Sequence, residues 1–451
     1  MNNKSSNNGN IANNNIDKKF WDEEISTASR EKIQQLQLKR LKKTIKHCYK
    51  NNNFYKKRID DAGINPDKIN SLDDLNKIPF TTKDDLRDNY PFGLFCTPLS
   101  EVVRVHASSG TTGNPTVVGY TKKDLDMWAE NLARIMFDVG VRKDDIVQIS
   151  HGFGLFTGGF GFLSAAEKIG CMVIPISSGV TERQLKVMKD YNSTVIVCTP
   201  SYCLYMAEVA EKIGLDFKDL SLKFGFLGGE PWTDSMKDEI EKRLKIKAFN
   251  SYGLSEVLGP GVSCECNQQN GLHINEDHFI AEIIDPNTGK TLDIGQKGEL
   301  VFTSLTKEAF PVLRYRTKDI SYLIDEPCLC GKTFIRMAKP MGRTDDMLII
   351  RGVNLFPSQI EEVLLKIKDL EPHYLIVVDR INYMDTIEVW VEVSEKIFHE
   401  KIMDLEFFEK SIEEKLYSSI GIRIKVKLKE PKTIERSEGK AKRVWDKRKE
   451  L

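Results

Sequence analysis

No run of about 18 consecutive apolar residues, the length that crosses a bilayer as a helix, occurs in this 451-residue chain. A membrane-embedded protein is not expected. Charge of one sign is lacking too: 66 Lys plus Arg balance 66 Asp plus Glu, so no global field recruits nucleic acid or anionic lipid. Cysteine is sparse, with nine residues, odd in number and unevenly spaced. The N-terminus is rich in asparagine where a secretory signal would carry a basic cluster and an apolar stretch. Reduced thiols and a cytoplasmic address are expected. What is present, 40% hydrophobic, 9% aromatic and 29% charged residues, is the composition of an ordinary folded protein, and the length calls for at least two domains.

Eight asparagines crowd the first fifteen residues, which hold too little apolar surface to offset ordering entropy, so residues 1–18 are expected to form a disordered tail. Ile33, Leu36, Leu41, Ile45 and Cys48 recur at helical spacing, predicting an amphipathic helix over 29–50. Further on, strand-like runs at 145–149, 172–176 and 194–198 alternate with helical stretches at 124–139 and 181–191, which implies a sheet covered by helices. Strands are predicted at 281–284 and 298–303, with a turn at 286–289. The pattern resets after Arg343 into a compact α+β unit with helices over 357–367 and 404–418. The fold class expected is therefore α/β, with a large multi-subdomain N-terminal domain over 19–344 and a small mobile α+β C-terminal domain over 345–451.

Glycines and hydroxyls crowd the segment Ser108, Ser109, Gly110, Thr111, Thr112, Gly113. Glycine lets backbone N–H groups turn toward an anion and hydroxyls add donors, so such a loop can cradle phosphates; a plain surface turn has the same composition. Gly228, Gly229, Glu230, Pro231 and Trp232 follow a strand-like run at 224–227. Ser251, Tyr252, Gly253, Leu254, Ser255 and Glu256 follow another at 246–249. Both segments are expected just past a strand's carboxyl end, where open α/β sheets bind ligands. Glu256 could hold a hard cation and Tyr252 could stack on a base, against a solvated acid and core packing as the alternatives. The close pairs Cys264/Cys266 and Cys328/Cys330 look like metal ligands.

Taken in order, these segments, together with 107–121, 154–159, 199–202, 252–262, 271–279, 314–319, 345–357 and the string Arg436-Ser437-Glu438-Gly439-Lys440-Ala441, resemble the motif series of the adenylate-forming superfamily, and most of all its phenylacetate–CoA ligase branch. The resemblance runs from about residue 20 to the end. It implies attack of a carboxylate on the α-phosphate of ATP, giving an acyl-adenylate, and then displacement of AMP by the thiol of coenzyme A. It also implies that Ser108 to Gly113 contact the β and γ phosphates, that Glu256 places magnesium, that Gly229, Glu230, Pro231 and Tyr252 enclose adenine with Gly253 and Ser255 beside them, and that Asp319 and Arg343 reach the ribose. Lys440 becomes the catalytic cation and Asp345 the hinge about which the small domain rotates. His151, Phe153 and Phe156 become the aryl pocket.

Two departures stand out: Asn114 replaces the usual lysine, leaving the backbone cradle, and His151 stands where tyrosine is common. A histidine adds hydrogen-bonding capacity, so phenylacetate, indoleacetate or a hydroxylated analogue is expected ahead of fatty acids. Some members of the branch carry structural zinc, for which Cys266, His273, Cys328 and Cys330 supply four ligands, with Cys264 and His278 as competitors. The partners implied are the small-molecule acid, ATP and coenzyme A, without nucleic acid or membrane, in a chain that can form a homodimer. Two other functions compete: adenylation with a different acceptor, either a carrier-protein thiol or a deazaflavin cofactor, and a degenerate binding module. Retention of Glu256, Asp319, Arg343 and Lys440 argues against the module.

Overall fold

The computed structural model describes residues 18–108, 114–350, 353–381, 384–398, 402–437 and 439–449. Residues 1–17 of the expected tail, and Ser109 to Gly113 of the expected phosphate loop, lie outside the described residues.

A nine-stranded sheet organises the large domain, and its parallel half runs in the order Met172–Ile174, Ile146–Ile149, Val195–Cys198, Phe224–Gly228, Lys247–Leu254. All four residues of Val195–Cys198 are buried, as a β-rich run covered on both faces requires. Helices Lys122–Asp138, Gly158–Ile169, Thr181–Asp190, Pro200–Lys212 and Asp234–Leu244 alternate with these strands, as the alternating pattern predicts. Strands Gly259–Glu265 and Leu272–Ile274 extend the sheet antiparallel. A second, antiparallel sheet joins Phe279–Ile284, Gly298–Ser304, Tyr315–Ser321 and Gly342–Arg343. The N-terminal helix is present as Arg30–Asn51, with Ile33, Leu41, Ile45 and Cys48 buried.

The motif at 251–256 departs from its expected position. Residues 251–254 do not follow the strand; they are its last four residues. The parallel partner stops at Gly228, opposite Ser251, but the strand continues because Gly259–Glu265 folds back to pair with it. Ser255 and Glu256 then occupy the turn between the two.

The small domain has its own core, built from residues such as Ile360, Ile376, Val389, Ile412 and Val426. A four-stranded sheet, Lys425–Lys429, Met384–Val393, Leu370–Ile381 and Val444–Asp446 in spatial order, carries the helices Pro357–Leu364 and Ile402–Ile420. Among the described residues no helix is long and apolar enough to cross a membrane.

Candidate active site

The carboxyl ends of the parallel strands form a crevice, and three residues meet in it. His151 lies just beyond Ile146–Ile149, Thr199 directly follows Val195–Cys198, and Gly229 follows Phe224–Gly228. Gly229 has a φ of +86°, and a Cβ added there would lie 3.8 Å from each of His151 Cε1, Thr199 Cγ2 and Lys440 Cε. The lysine of the small domain therefore stands over the crevice of the large one. Burial, and secondarily the charge of Lys440, push His151 down to about 4, so its imidazole is neutral at neutral pH.

Three hydrogen bonds hold the loop that carries Lys440, and a fourth, between Ser201 and Glu230, braces the residues that receive it. The Gly439 carbonyl accepts from Thr199 Oγ1 at 2.8 Å and Ser201 Oγ at 3.2 Å. Glu230 accepts the backbone N–H of Ala441 at 2.9 Å with one carboxylate oxygen and that of Ser201 at 2.8 Å with the other. Proline at the first turn starts the helix Pro200–Lys212 right after Thr199, which aims both hydroxyls into the seam. The carboxylate of Glu230, which the resemblance places beside adenine, is turned toward the lysine loop, and burial pushes its pKa up. Pro231, Arg343 and Asp345 line a cavity of about 910 Å³ between the domains.

On the other side of the crevice Tyr252 Oη donates to Asp319 Oδ2 at 2.5 Å, and Arg343 Nη1 donates to Asp319 Oδ1 at 3.0 Å. Arg343 also forks onto both oxygens of Asp345, each at 2.9 Å. Strand register brings these residues together, since Asp319 lies directly opposite Arg343. Glycine at 253 is obligatory because a Cβ would fall 1.9 Å from the Gly259 carbonyl oxygen.

Glu256 is 6% exposed and accepts from Thr116 Oγ1 at 3.3 Å. Thr116 in turn hydrogen-bonds the hydroxyl of Ser108, linking Glu256 to the edge of the Gly-rich segment. Lys83 Nζ is 3.8 Å away. Magnesium fits this place chemically, because it prefers carboxylate and hydroxyl oxygens. Ser255 is taken up by a hydrogen bond with Thr157 at 3.1 Å.

Of the three residues expected to hold an aryl group, His151 lies beside Gly229 and Lys440. Phe153 turns into an edge contact with Phe160, ring centres 5.0 Å apart, and Phe156 is 52% exposed.

The expected metal ligands form a separate cluster. Ligand atoms of Cys266, His273, Cys328 and Cys330 all lie within 4.8 Å of one another. Cys266 and Cys328 sulfurs are 3.6 Å apart, and Cys330 Sγ is 3.4 Å from His273 Nε2. Tetrahedral zinc with ~2.3 Å bonds to sulfur needs ligand atoms roughly 3.7 Å apart, so the set fits. His273 Nδ1 is 3.0 Å from the Phe334 carbonyl, which leaves Nε2 for a metal. The backbone N–H groups of Gln268 and Lys332 point at the sulfurs of Cys266 and Cys330, both at 3.4 Å. The competitors are placed elsewhere: Cys264 is buried in the large-domain core, and His278 is held by Asp277 at 2.9 Å and Thr306 at 2.8 Å.

The fold and the site define a two-domain α/β protein in which a small C-terminal domain brings a lysine to the strand ends of the large one. The AMP-binding enzyme model matches residues 29–306 and the AMP-binding enzyme C-terminal domain model matches 352–448. The phenylacetate-coenzyme A ligase of Thermus thermophilus is 48% identical over 95% of this chain and 100% of its own length. That of Aromatoleum evansii is 50% identical over 94% of this chain and 97% of its own. The chain belongs to the AMP-binding enzyme family.

Among solved structures, 2-hydroxyisobutyryl-CoA ligase in its postadenylation state matches with a TM-score of 0.92 at 29% identity, over 99% of this chain and 95% of that one. The same enzyme in its thioesterification state scores 0.71 at 30% identity, over 96% and 93%. The domain orientation described here is thus closer to that of the first of these two structures than to that of the second.

Proposed function

We propose that this enzyme activates phenylacetate with ATP to phenylacetyl-adenylate and pyrophosphate, then transfers the acyl group to coenzyme A, releasing AMP. The observation that carries the reading is the convergence of Lys440 with Gly229 and His151 at the strand ends, in a chain about half identical to phenylacetate-coenzyme A ligases over nearly its full length. A carboxylate attacking a phosphate builds negative charge between two anions, and the Lys440 ammonium offsets it there. The neutral His151 adds a hydrogen-bonding group without repelling Lys440. Tyr252, Asp319 and Arg343 form a preassembled polar edge for the ribose, with Gly229 and Pro231 on the adenine side.

Glu256 with Thr116 would hold magnesium, which supplies charge neutralisation on the phosphates. Cys266, His273, Cys328 and Cys330 would hold zinc, which ties the segment 266–273 to 328–330 and takes no part in the reaction. For the second half-reaction the small domain turns about Asp345, withdrawing Lys440. A cytoplasmic enzyme working on small molecules, as a homodimer, completes the reading; light scattering tests the dimer.

The test is AMP release from a panel of aryl, arylacetic and fatty acids, each with and without coenzyme A. Rapid AMP turnover with phenylacetate only when coenzyme A is present is expected. Turnover equally fast without it would point to another acceptor.

A further inference from the structure

Arg436 lies four residues before Lys440 and is held from both sides of the domain seam. Within the small domain its Nη1 and Nη2 donate to the two oxygens of Glu392 at 2.7 and 2.8 Å. Glu392 is fully buried, and it also accepts the backbone N–H groups of Lys432 at 3.0 Å and Ile434 at 2.6 Å. The stretch leading to the catalytic loop is thereby tied to the small domain's own sheet. The remaining edge of the guanidinium faces the large domain, where Nε donates to Glu208 Oε2 at 3.0 Å and Nη2 to Oε1 at 3.3 Å. His373 of the small domain contacts the same Glu208 carboxylate. Glu208 sits on Pro200–Lys212, the helix whose first turn supplies Ser201 to the Gly439 carbonyl.

We propose that Glu208 is a positioning residue for adenylation: by gripping Arg436 and His373 across the seam it holds the small domain in the orientation that places Lys440 over the crevice. The proposal rests on the functional reading above, since it assigns Glu208 to one half-reaction of that site. Glu208 is 15% and Arg436 13% exposed in their side chains, so the pair is partly desolvated and stronger than an exposed ion pair. Every group on the far side of the contact belongs to the small domain, so rotation of that domain breaks it. Its stabilisation therefore favours one orientation and not the other, which is the requirement for shifting a population.

The experiment compares wild type with Glu208→Gln in the full-length enzyme. ATP–pyrophosphate exchange with phenylacetate is expected to fall at least about tenfold in rate with an acid KM within about twofold, while thioester formation from supplied phenylacetyl-adenylate and coenzyme A is unchanged or faster. A merely structural role would lower both half-reactions together. A readout that needs no substrate is amide hydrogen exchange of residues 434–441, expected to quicken at least about fivefold while helix 200–212 stays protected. Glu208→Asp, which keeps the charge and shortens the reach, gives the same pattern more weakly and serves if the glutamine variant does not fold. Parallel loss of both half-reactions, or unchanged exchange at 434–441, overturns the proposal. If wild type shows no phenylacetate-dependent exchange while residues 434–441 loosen in the variant, the substrate reading fails and the seam contact stands.

Discussion

Ala441 donates its backbone N–H to Glu230 at 2.9 Å across the seam between the two domains, so the residue beside Lys440 is fixed by a side chain of the crevice that Lys440 overhangs. The carbonyl on the other side, that of Gly439, is fixed by Thr199 and Ser201. Lys440 is thus clamped through the backbone of both its neighbours, with its side chain over the crevice at Gly229.

Lys440→Ala should lower acid-dependent ATP–pyrophosphate exchange by about a hundredfold or more, the usual cost of losing one donor aimed at developing charge. Thioester formation from supplied acyl-adenylate should change far less. An exchange rate within threefold of wild type would remove Lys440 from the mechanism.

Asp345→Pro stiffens the turn at which Arg343 forks onto the Asp345 carboxylate. Exchange should stay within about threefold, because Arg343 keeps Asp319, whereas thioester formation, which the proposed rotation about Asp345 serves, should slow by about tenfold. Equal losses in both half-reactions contradict a hinge at this residue.

Much of the architecture is legible in the sequence because hydrophobic periodicity and buried β-rich runs are local signals. The runs at 145–149 and 194–198 and the helix at 29–50 need no tertiary information. The end of the strand Lys247–Leu254 is different: it depends on whether a later segment folds back to pair with it, and nothing within residues 246–256 states that. The same holds for Glu230, whose sequence neighbours suggest a nucleotide contact but whose carboxylate is claimed by Ser201 and Ala441. Glu208 carries no signal at all, since its partner Arg436 lies 228 residues away. The metal cluster is partly legible: cysteine spacing marks the two pairs, but two residues apart in a strand share a face, and only the end of the strand at Glu265 lets Cys266 turn into the cluster while Cys264, still in the strand, packs into the core.

Neutral His151 makes a pH prediction. Its folded pKa, about 4, lies below the ordinary value of 6.5, so on acidification the unfolded chain takes up the proton first. The stability contributed by the neutral ring is present above about pH 6.5 and is lost as pH falls toward about 4. Thermal unfolding of His151→Phe across this range should show a flatter pH dependence than wild type. Parallel profiles contradict the assignment. His151→Tyr should also change the ranking of phenylacetate against its hydroxylated analogue; an unchanged ranking removes His151 from selectivity.

Protein purified without added metal should contain about one zinc per chain, and Cys330→Ser should lose the metal and lower the unfolding temperature. Elemental analysis below about a tenth of an equivalent, with all nine thiols titratable after denaturation, contradicts the four-ligand site.

The most direct measurement of the central claim is the catalytic efficiency of the wild-type enzyme, read as coenzyme A-dependent AMP release, across phenylacetate, indoleacetate, hydroxyphenylacetate, acetate and a medium-chain fatty acid. An arylacetate is expected to rank first, with turnover that requires coenzyme A. A fatty acid ranking above every aryl acid would contradict it.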